Sequence, residues 1–287
     1  MGAGYAGDPA AAGMLASVHG AATRRAHNAR MTLRTSLAAS AALLFAAPAF
    51  ADPPDFDRPG AGFATTVLPV GTVALEQGFP TYERQRQDGY LDRTYTADSL
   101  IRIGLGSALE WQVAGSAWNR LEERGSGSRR HATGHGDTSV GMKWASGGSA
   151  DAGPFTWAAL GKVTFANGDD DFGNGAREVS LGSTMQWKPD DAKQITLFAN
   201  LDRLKDRNTW TLAPTFGRKF GSNLLAYVET DAIHDAEDGN ELQAGGGIAY
   251  DIGDHVQLDA YALHRIGRHG PSMLAGLGIS MFFGQKQ

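Results

Sequence analysis

The chain has 287 residues, 38 of them glycine and none cysteine, with a formal net charge of −5 at pH 7. No cysteine means no disulfide scaffold, no thiolate zinc site and no cysteine nucleophile, and an acidic balance without an evident basic run argues against nucleic acid as a partner. Glycine at nearly twice its usual share of about 7%, beside ordinary proline, points to many turns or kinked strands rather than to a disordered chain.

Residues 1–30 are Ala/Gly-rich without periodicity and read as an over-extended start ahead of Met31. From Met31 to Ala51 the chain carries Arg34, an apolar stretch from Leu37 to Phe50, and Ala49 and Ala51 at the −3 and −1 positions of a cleavage site. That is the layout of a secretory signal peptide, so export and cleavage after Ala51 are expected. Its apolar stretch falls short of the roughly 20 residues a spanning helix needs. Residues 52–70 are Pro- and Gly-rich, and whether they plug a lumen is left open by the sequence.

From residue 71 to 287 the dominant signal is a period of two. Leu109, Trp111, Val113, Gly115 and Ala117 alternate with a mostly polar set, as do Val179, Leu181, Ser183, Met185 and Trp187, and then Met273, Ala275, Leu277, Ile279, Met281 and Phe283. Such alternation means strand. The same template gives twelve candidate strands near 71–84, 91–105, 109–121, 137–145, 155–166, 178–188, 194–204, 209–219, 224–234, 242–251, 256–266 and 272–283. Polar connections such as RGSGSRRHATGHG and NGDDDFGNGA alternate with mostly short ones such as PDDA and FGSN. Long loops outside and short turns inside are the habit of outer-membrane barrels. The expectation is therefore an all-β, transmembrane antiparallel barrel of about twelve strands in the bacterial outer membrane.

Aromatic positions give the direction. Trp111, Trp144, Trp157, Trp187, Phe216, Tyr250 and Phe283 fall on outward parity at one rim, and Phe79, Tyr95, Phe165 and Trp210 at the other, as membrane interfaces favour. A soluble β-sandwich also alternates but gives no reason for tryptophan at matching strand ends. Gly278, Met281 and Phe283 have the spacing of a terminal signal for the barrel-assembly machinery.

On inward parity, acids Glu76, Asp98, Glu110, Asp137, Glu178, Asp202, Glu229, Asp231, Asp251 and Asp259 face bases Arg84, Arg102, Arg120, Lys143, Lys162, Lys188, Lys219 and Arg265. Leu100, Trp118, Leu160, Phe198, Leu225, Tyr227, Tyr261 and Leu263 add an apolar component. The charges suit either a hydrated pore wall or mutually satisfied pairs in a filled lumen, and the apolar groups suit either cargo contact or space filling. Twelve strands lie between the filled eight-stranded barrel and the aqueous sixteen-stranded porin, so a narrow conduit is expected.

The succession DRPGAGF, LPVGTVALEQG, ADSLIRIGL, ALEWQV, GHGDTSVGMKW and FANGDDDFGNG, spread over residues 58–283, resembles the outer-membrane transporter family of the MetA (meta) pathway of phenol degradation. The resemblance implies a β-barrel channel with aromatic or hydrophobic cargo and carries no residue-level site.

Other constellations read as surface features. Asp169, Asp170, Asp171 and Asn174 lack the ligand spacing of a calcium loop, as does the run 234–241. His131 and His135 lie among glycines, so no metal or cofactor is expected, and Arg129 and Arg130 suit phosphates of outer-membrane lipids or lipopolysaccharide. A lipid-modifying enzyme needs a nucleophile beside a base. His264, the mid-to-upper strand histidine on outward parity, has Leu242, Ala244, Met273 and Ala275 as expected neighbours. No catalytic group is expected. The function expected is passive uptake of small aromatic or hydrophobic molecules, with a non-transporting structural barrel or adhesin, and an outer-membrane lipid-modifying enzyme, as the alternatives.

Overall fold

The computed structural model describes residues 55–87, 90–125, 127–146, 153–237, 239–267 and 272–284. Within them the alternating runs form β1 (Val73–Gly78), β2 (Thr81–Gln87), β3 (Tyr90–Gly104), β4 (Leu109–Gly125), β5 (Ser128–Gly134), β6 (Thr138–Ala145) and β7 (Phe155–Phe165). They continue as β8 (Glu178–Asp190), β9 (Lys193–Leu204), β10 (Arg207–Phe220), β11 (Leu224–Asp235), β12 (Gly239–Ile252), β13 (Val256–Arg265) and β14 (Met273–Phe283).

These segments make twelve staves. β1 and β2 each pair with β14 on one side and β3 on the other, so they are one stave broken at Phe79-Pro80, where proline has no N–H to give a ladder. β5 and β6 both pair with β4, on its far and near halves, and form a second stave interrupted at His135–Asp137. All neighbours are antiparallel, and β14 on β1 closes the barrel.

The expected strand count holds, with one element added. The stretch RGSGSRRHATGHG, expected as a loop, instead extends β4 to Gly125 and returns as β5. The outer wall is apolar and open to its surroundings, with Leu181, Val228 and Leu277 about 60% exposed. The buried apolar groups are inside. Ala61, Phe63 and Val67 cluster with Ala158, Leu160 and Phe198, while Phe56 and Leu68 cluster with Ala74 and Phe282. Residues 56–68 thus run through the lumen, Gly71 and Thr72 bond Gly104 at the end of β3, and the core lies between the segment and the inner wall.

Period-two parity fails at two places. In β4 the register slips between Ala97 and Asp98 of β3, leaving Ala117 unpaired as a bulge. One extra residue swaps the faces beyond it. Trp118, expected inward, therefore faces outward and is 43% exposed, and Arg120 turns outward with it, Asn119 and Leu121 taking the inward positions. The second failure is the break at Phe79-Pro80: Thr81 is buried inward, Glu83 lies opposite buried Leu274, and Arg84, also expected inward, lies opposite outward Met273.

Candidate functional site: the lumen and its internal segment

The adjacent pair Asp57–Arg58 holds the internal segment to the wall. Both backbone amides donate to Glu76, Asp57 N to Oε1 at 3.0 Å and Arg58 N to Oε2 at 2.8 Å. The Arg58 guanidinium donates to both oxygens of Asp259, at 3.2 and 3.1 Å, and to Asp98 at 2.9 Å. Burial alone would lower the pKa of Arg58, but the Asp98 and Asp259 carboxylates hold it above the ordinary arginine value. Asp57 in turn accepts from Lys143 Nζ at 2.9 Å and Gln112 Nε2 at 2.7 Å.

Arg102 links the two halves of this network. It forks onto Glu110 at 2.8 and 2.9 Å, reaches Glu76 at 2.8 Å and lies 3.4 Å from Asp57. Three cations, Arg58, Arg102 and Lys143, thus meet five carboxylates, Asp57, Glu76, Asp98, Glu110 and Asp259. All eight are buried. The remaining acceptor capacity is met by amides of the segment, Leu68 N onto Glu110 at 2.9 Å and Ala64 N onto Asp57 at 2.9 Å. A buried charge cluster persists only when its lone pairs are satisfied in this way.

Beyond the ionic network, Ala61 N donates to Glu229 at 2.9 Å, Phe63 N to Thr184 at 3.3 Å, and the Thr65 and Thr156 hydroxyls meet at 2.6 Å. Phe63 packs edge-on against Phe198 with centroids 5.8 Å apart. Two glycines make the approach possible. Gly60 has φ +106°, and a Cβ there would lie 3.1 Å from Glu229 Oε2; at Gly278 a Cβ would lie 2.5 Å from both Arg58 Nε and Asp259 Oδ2.

A cavity remains beside the segment, lined in part by Phe63, Leu100, Leu160, Asp231, Tyr261 and Leu263, with about 70 Å³ open to water. That is room for several waters. Asp231 lines it with Oδ1 lacking a hydrogen-bond partner.

Of the lumen residues expected from the sequence, Glu76, Asp98, Arg102, Glu110, Lys143, Phe198, Tyr227, Glu229, Asp231 and Asp259 are buried, and Lys162, Asp202, Tyr261 and Arg265 are half-buried on the same wall. Trp118 is the exception, for the reason given above. Phe198 and Tyr227 are covered, so in this state they do not front an open path. Trp111, Trp144, Trp157, Trp187, Trp210, Tyr250 and Phe283 are all exposed, with Trp144 and Trp157 stacked edge-on at 4.6 Å. Asp57 and Arg58 were not among the expected site residues. An unlike charge pair directly after a Pro-rich run was the available signal.

The loop acids have structural partners. Asp137 accepts from Asn167 N, Gly168 N and Asn174 N at 2.9, 2.6 and 2.7 Å. Asp169 accepts from His135 N at 3.0 Å, and Asp171 pairs with Arg130.

A closed antiparallel barrel of twelve staves, apolar and aromatic-rimmed outside and charged inside, is an outer-membrane β-barrel. The chain belongs to the family described as "Putative MetA-pathway of phenol degradation", whose model matches residues 56–283. Among solved structures it is similar to the COG4313 outer membrane channel from Pseudomonas putida F1, at 12% identity and a TM-score of 0.59, covering 76% of this chain and 97% of that one. It also resembles the translocator domain of autotransporter NalP from Neisseria meningitidis, at 10% identity and a TM-score of 0.48, covering 75% and 89%. A monoaromatic hydrocarbon channel, CymD, follows at 9% and 0.40, covering 77% and 90%. These likenesses concern the fold. No curated relative matches the chain by sequence.

Proposed function

We propose that the barrel conducts small molecules passively across the outer membrane and that residues 55–70 close it in the state described. The observation that carries this reading is the mode of attachment. Residues 55–70 are no part of the sheet; discrete hydrogen bonds and ion pairs centred on Asp57 and Arg58 hold them, and such contacts exchange for water far more readily than a covalent wall. Twelve staves without a filler leave a lumen wider than the self-filled eight-stranded case.

Membership in a family described by phenol degradation and the apolar stretch of the cavity, Leu100, Leu160 and Leu263 beside Tyr261, support a small aromatic or hydrophobic cargo. On the outer wall His264 lies opposite Ala244 and Met273, which supports a barrel without hydrolase chemistry. Signal-peptide cleavage after Ala51 would leave the segment at the mature N-terminus, free at one end to withdraw.

The test is planar-bilayer conductance of the mature chain with and without residues 52–70. Higher conductance of the shortened chain supports a gated conduit. Zero conductance of both would leave a structural barrel.

A further inference from the structure

The two parity breaks give one sector of the barrel an unusual outer wall. Cross-strand register places Tyr82, Tyr95, Arg120 and Thr133 in one outward row, with Arg84, Arg93, Glu122 and His131 in the next. The row beyond is Arg86, Leu91, Arg124 and Arg129. Six arginines therefore share a face with a single carboxylate, Glu122, which Arg120 already holds at 2.6 Å. On the inward face of the same strands the sign reverses: Glu83, Asp92 and Glu123 stand against Arg130 alone.

Six arginines thus have one internal counter-charge, Glu122, which stands opposite Arg93 and is ion-paired with Arg120. Arg84 and Arg93 are directly opposite, a position in which like charges about 5 Å apart destabilise a sheet. Their Nε atoms are buried without a hydrogen-bond partner, and among the described residues no carboxylate pairs with Arg84, Arg86, Arg93, Arg124 or Arg129. The patch begins at the row of Tyr82 and Tyr95, whose rings are 5.3 Å apart, and extends beyond it. Aromatic rings of this kind mark the level where acyl chains give way to headgroups. The hairpins lie at the end of the barrel opposite the termini of the sheet, the outer-leaflet side by the loop rule. The wall faces lipid, not lumen.

We propose that this sector is a docking surface for the phosphorylated headgroup of lipopolysaccharide. A phosphate seated between Arg84 and Arg93 would accept paired N–H donors from planar guanidiniums, the geometry in which arginine binds phosphate best. The outer row, Arg86, Arg124 and Arg129, would meet anionic groups farther from the bilayer. The surface binds lipid from the side, independently of whether the lumen conducts.

The test is native mass spectrometry of the full mature chain in neutral detergent with added lipopolysaccharide, the same lipid after phosphatase removal of its lipid A phosphates, inorganic phosphate, or soluble polyglutamate. Intact lipopolysaccharide should bind at least tenfold more tightly than the dephosphorylated form, with the difference shrinking at high salt. The combined variant Arg84→Gln, Arg93→Gln, Arg124→Gln, Arg129→Gln should lose that preference while keeping heat-modifiable mobility, and Arg203→Gln, an upper-rim arginine outside the patch, should keep it. Equal binding of the two lipid forms by the unaltered chain would overturn the proposal even if the combined variant failed to fold. Equal binding of inorganic phosphate or polyglutamate would overturn it too, as showing a general anion surface.

Discussion

Replacing Arg58 with alanine should unlatch the internal segment. Arg58 makes three charge-assisted bonds of 2.9–3.2 Å to two carboxylates, and its removal leaves Asp98 and Asp259 facing each other in the closed state without a cation. Breaking a buried pair in this way costs about 3–5 kcal/mol, because the stranded carboxylates keep their desolvation penalty. In an open state water would solvate them. The penalty therefore falls on closure, and at about 1.4 kcal/mol per decade it shifts the closed-to-open ratio by roughly two to three and a half decades. Closure does not vanish, since Phe56, Phe63, Val67 and Leu68 stay buried at about 1.5–3 kcal/mol each. Single-channel recording reads the open fraction, and limited proteolysis of the N-terminal segment reads its release. Arg58→Lys, which keeps the charge but loses the fork onto Asp259, should fall between. If Arg58→Ala left the open fraction unchanged while deletion of 52–70 raised conductance, Arg58 would not be the latch.

Gly278→Ala drives a methyl into the Arg58–Asp259 contact and should raise the open fraction by at least tenfold, read in the same recordings, with barrel mobility on gels unchanged. A cysteine at Phe198 should resist a water-soluble thiol reagent in the full chain and react once residues 52–70 are deleted, whereas one at outward Val228 should react in neither; early labelling at 198 would show that the segment does not cover it. A cysteine at Trp118 should be reached by a membrane-partitioned reagent and not by lumenal reagent in the shortened chain, opposite to strict alternation. N-terminal sequencing of outer-membrane protein should begin at Asp52, and Phe283→Asp, which puts a charge in the aromatic rim, should deplete the folded form from outer membranes.

The barrel was legible because its physical cause is periodic. Val228 and Glu229, or Leu197 and Phe198, must take opposite walls, and lipid on one side with ions on the other writes that opposition into every strand. The girdle was legible for a related reason: Trp144 and Trp157 are large amphipathic groups with one favourable depth. The latch was hidden because nothing periodic marks it. Asp57 and Arg58 lie in an irregular segment, and their partners Glu76, Asp98, Lys143 and Asp259 are up to 201 residues distant. The sequence shows that the inner wall is rich in both signs of charge; only the folded chain shows that the ions pair through a segment outside the sheet.

The departures from alternation carry as much information as the alternation. Without the break at Phe79-Pro80, Arg84 and Arg86 would project into the lumen and Glu83 into lipid. Without the bulge at Ala117, Arg120 and Arg124 would likewise turn inward, with Glu123 outward. β3 keeps its parity throughout its upper half and presents Arg93 outward regardless. Two independent one-residue irregularities on either side of it therefore act in concert: each sends two arginines out and one glutamate in on this sector, the bulge also placing Glu122 outward, where Arg120 holds it. A charge at the lipid-facing midplane costs about 2–4 kcal/mol and close to nothing at the interface, so such inversion is tolerable only beyond the aromatic level, and both irregularities fall before the arginine rows begin. Strand geometry alone does not account for this placement, because a bulge bends and twists a strand equally well with either sign of charge above it. The irregularities decide which charges meet the membrane surface, and a count of basic residues along the chain does not reveal that face.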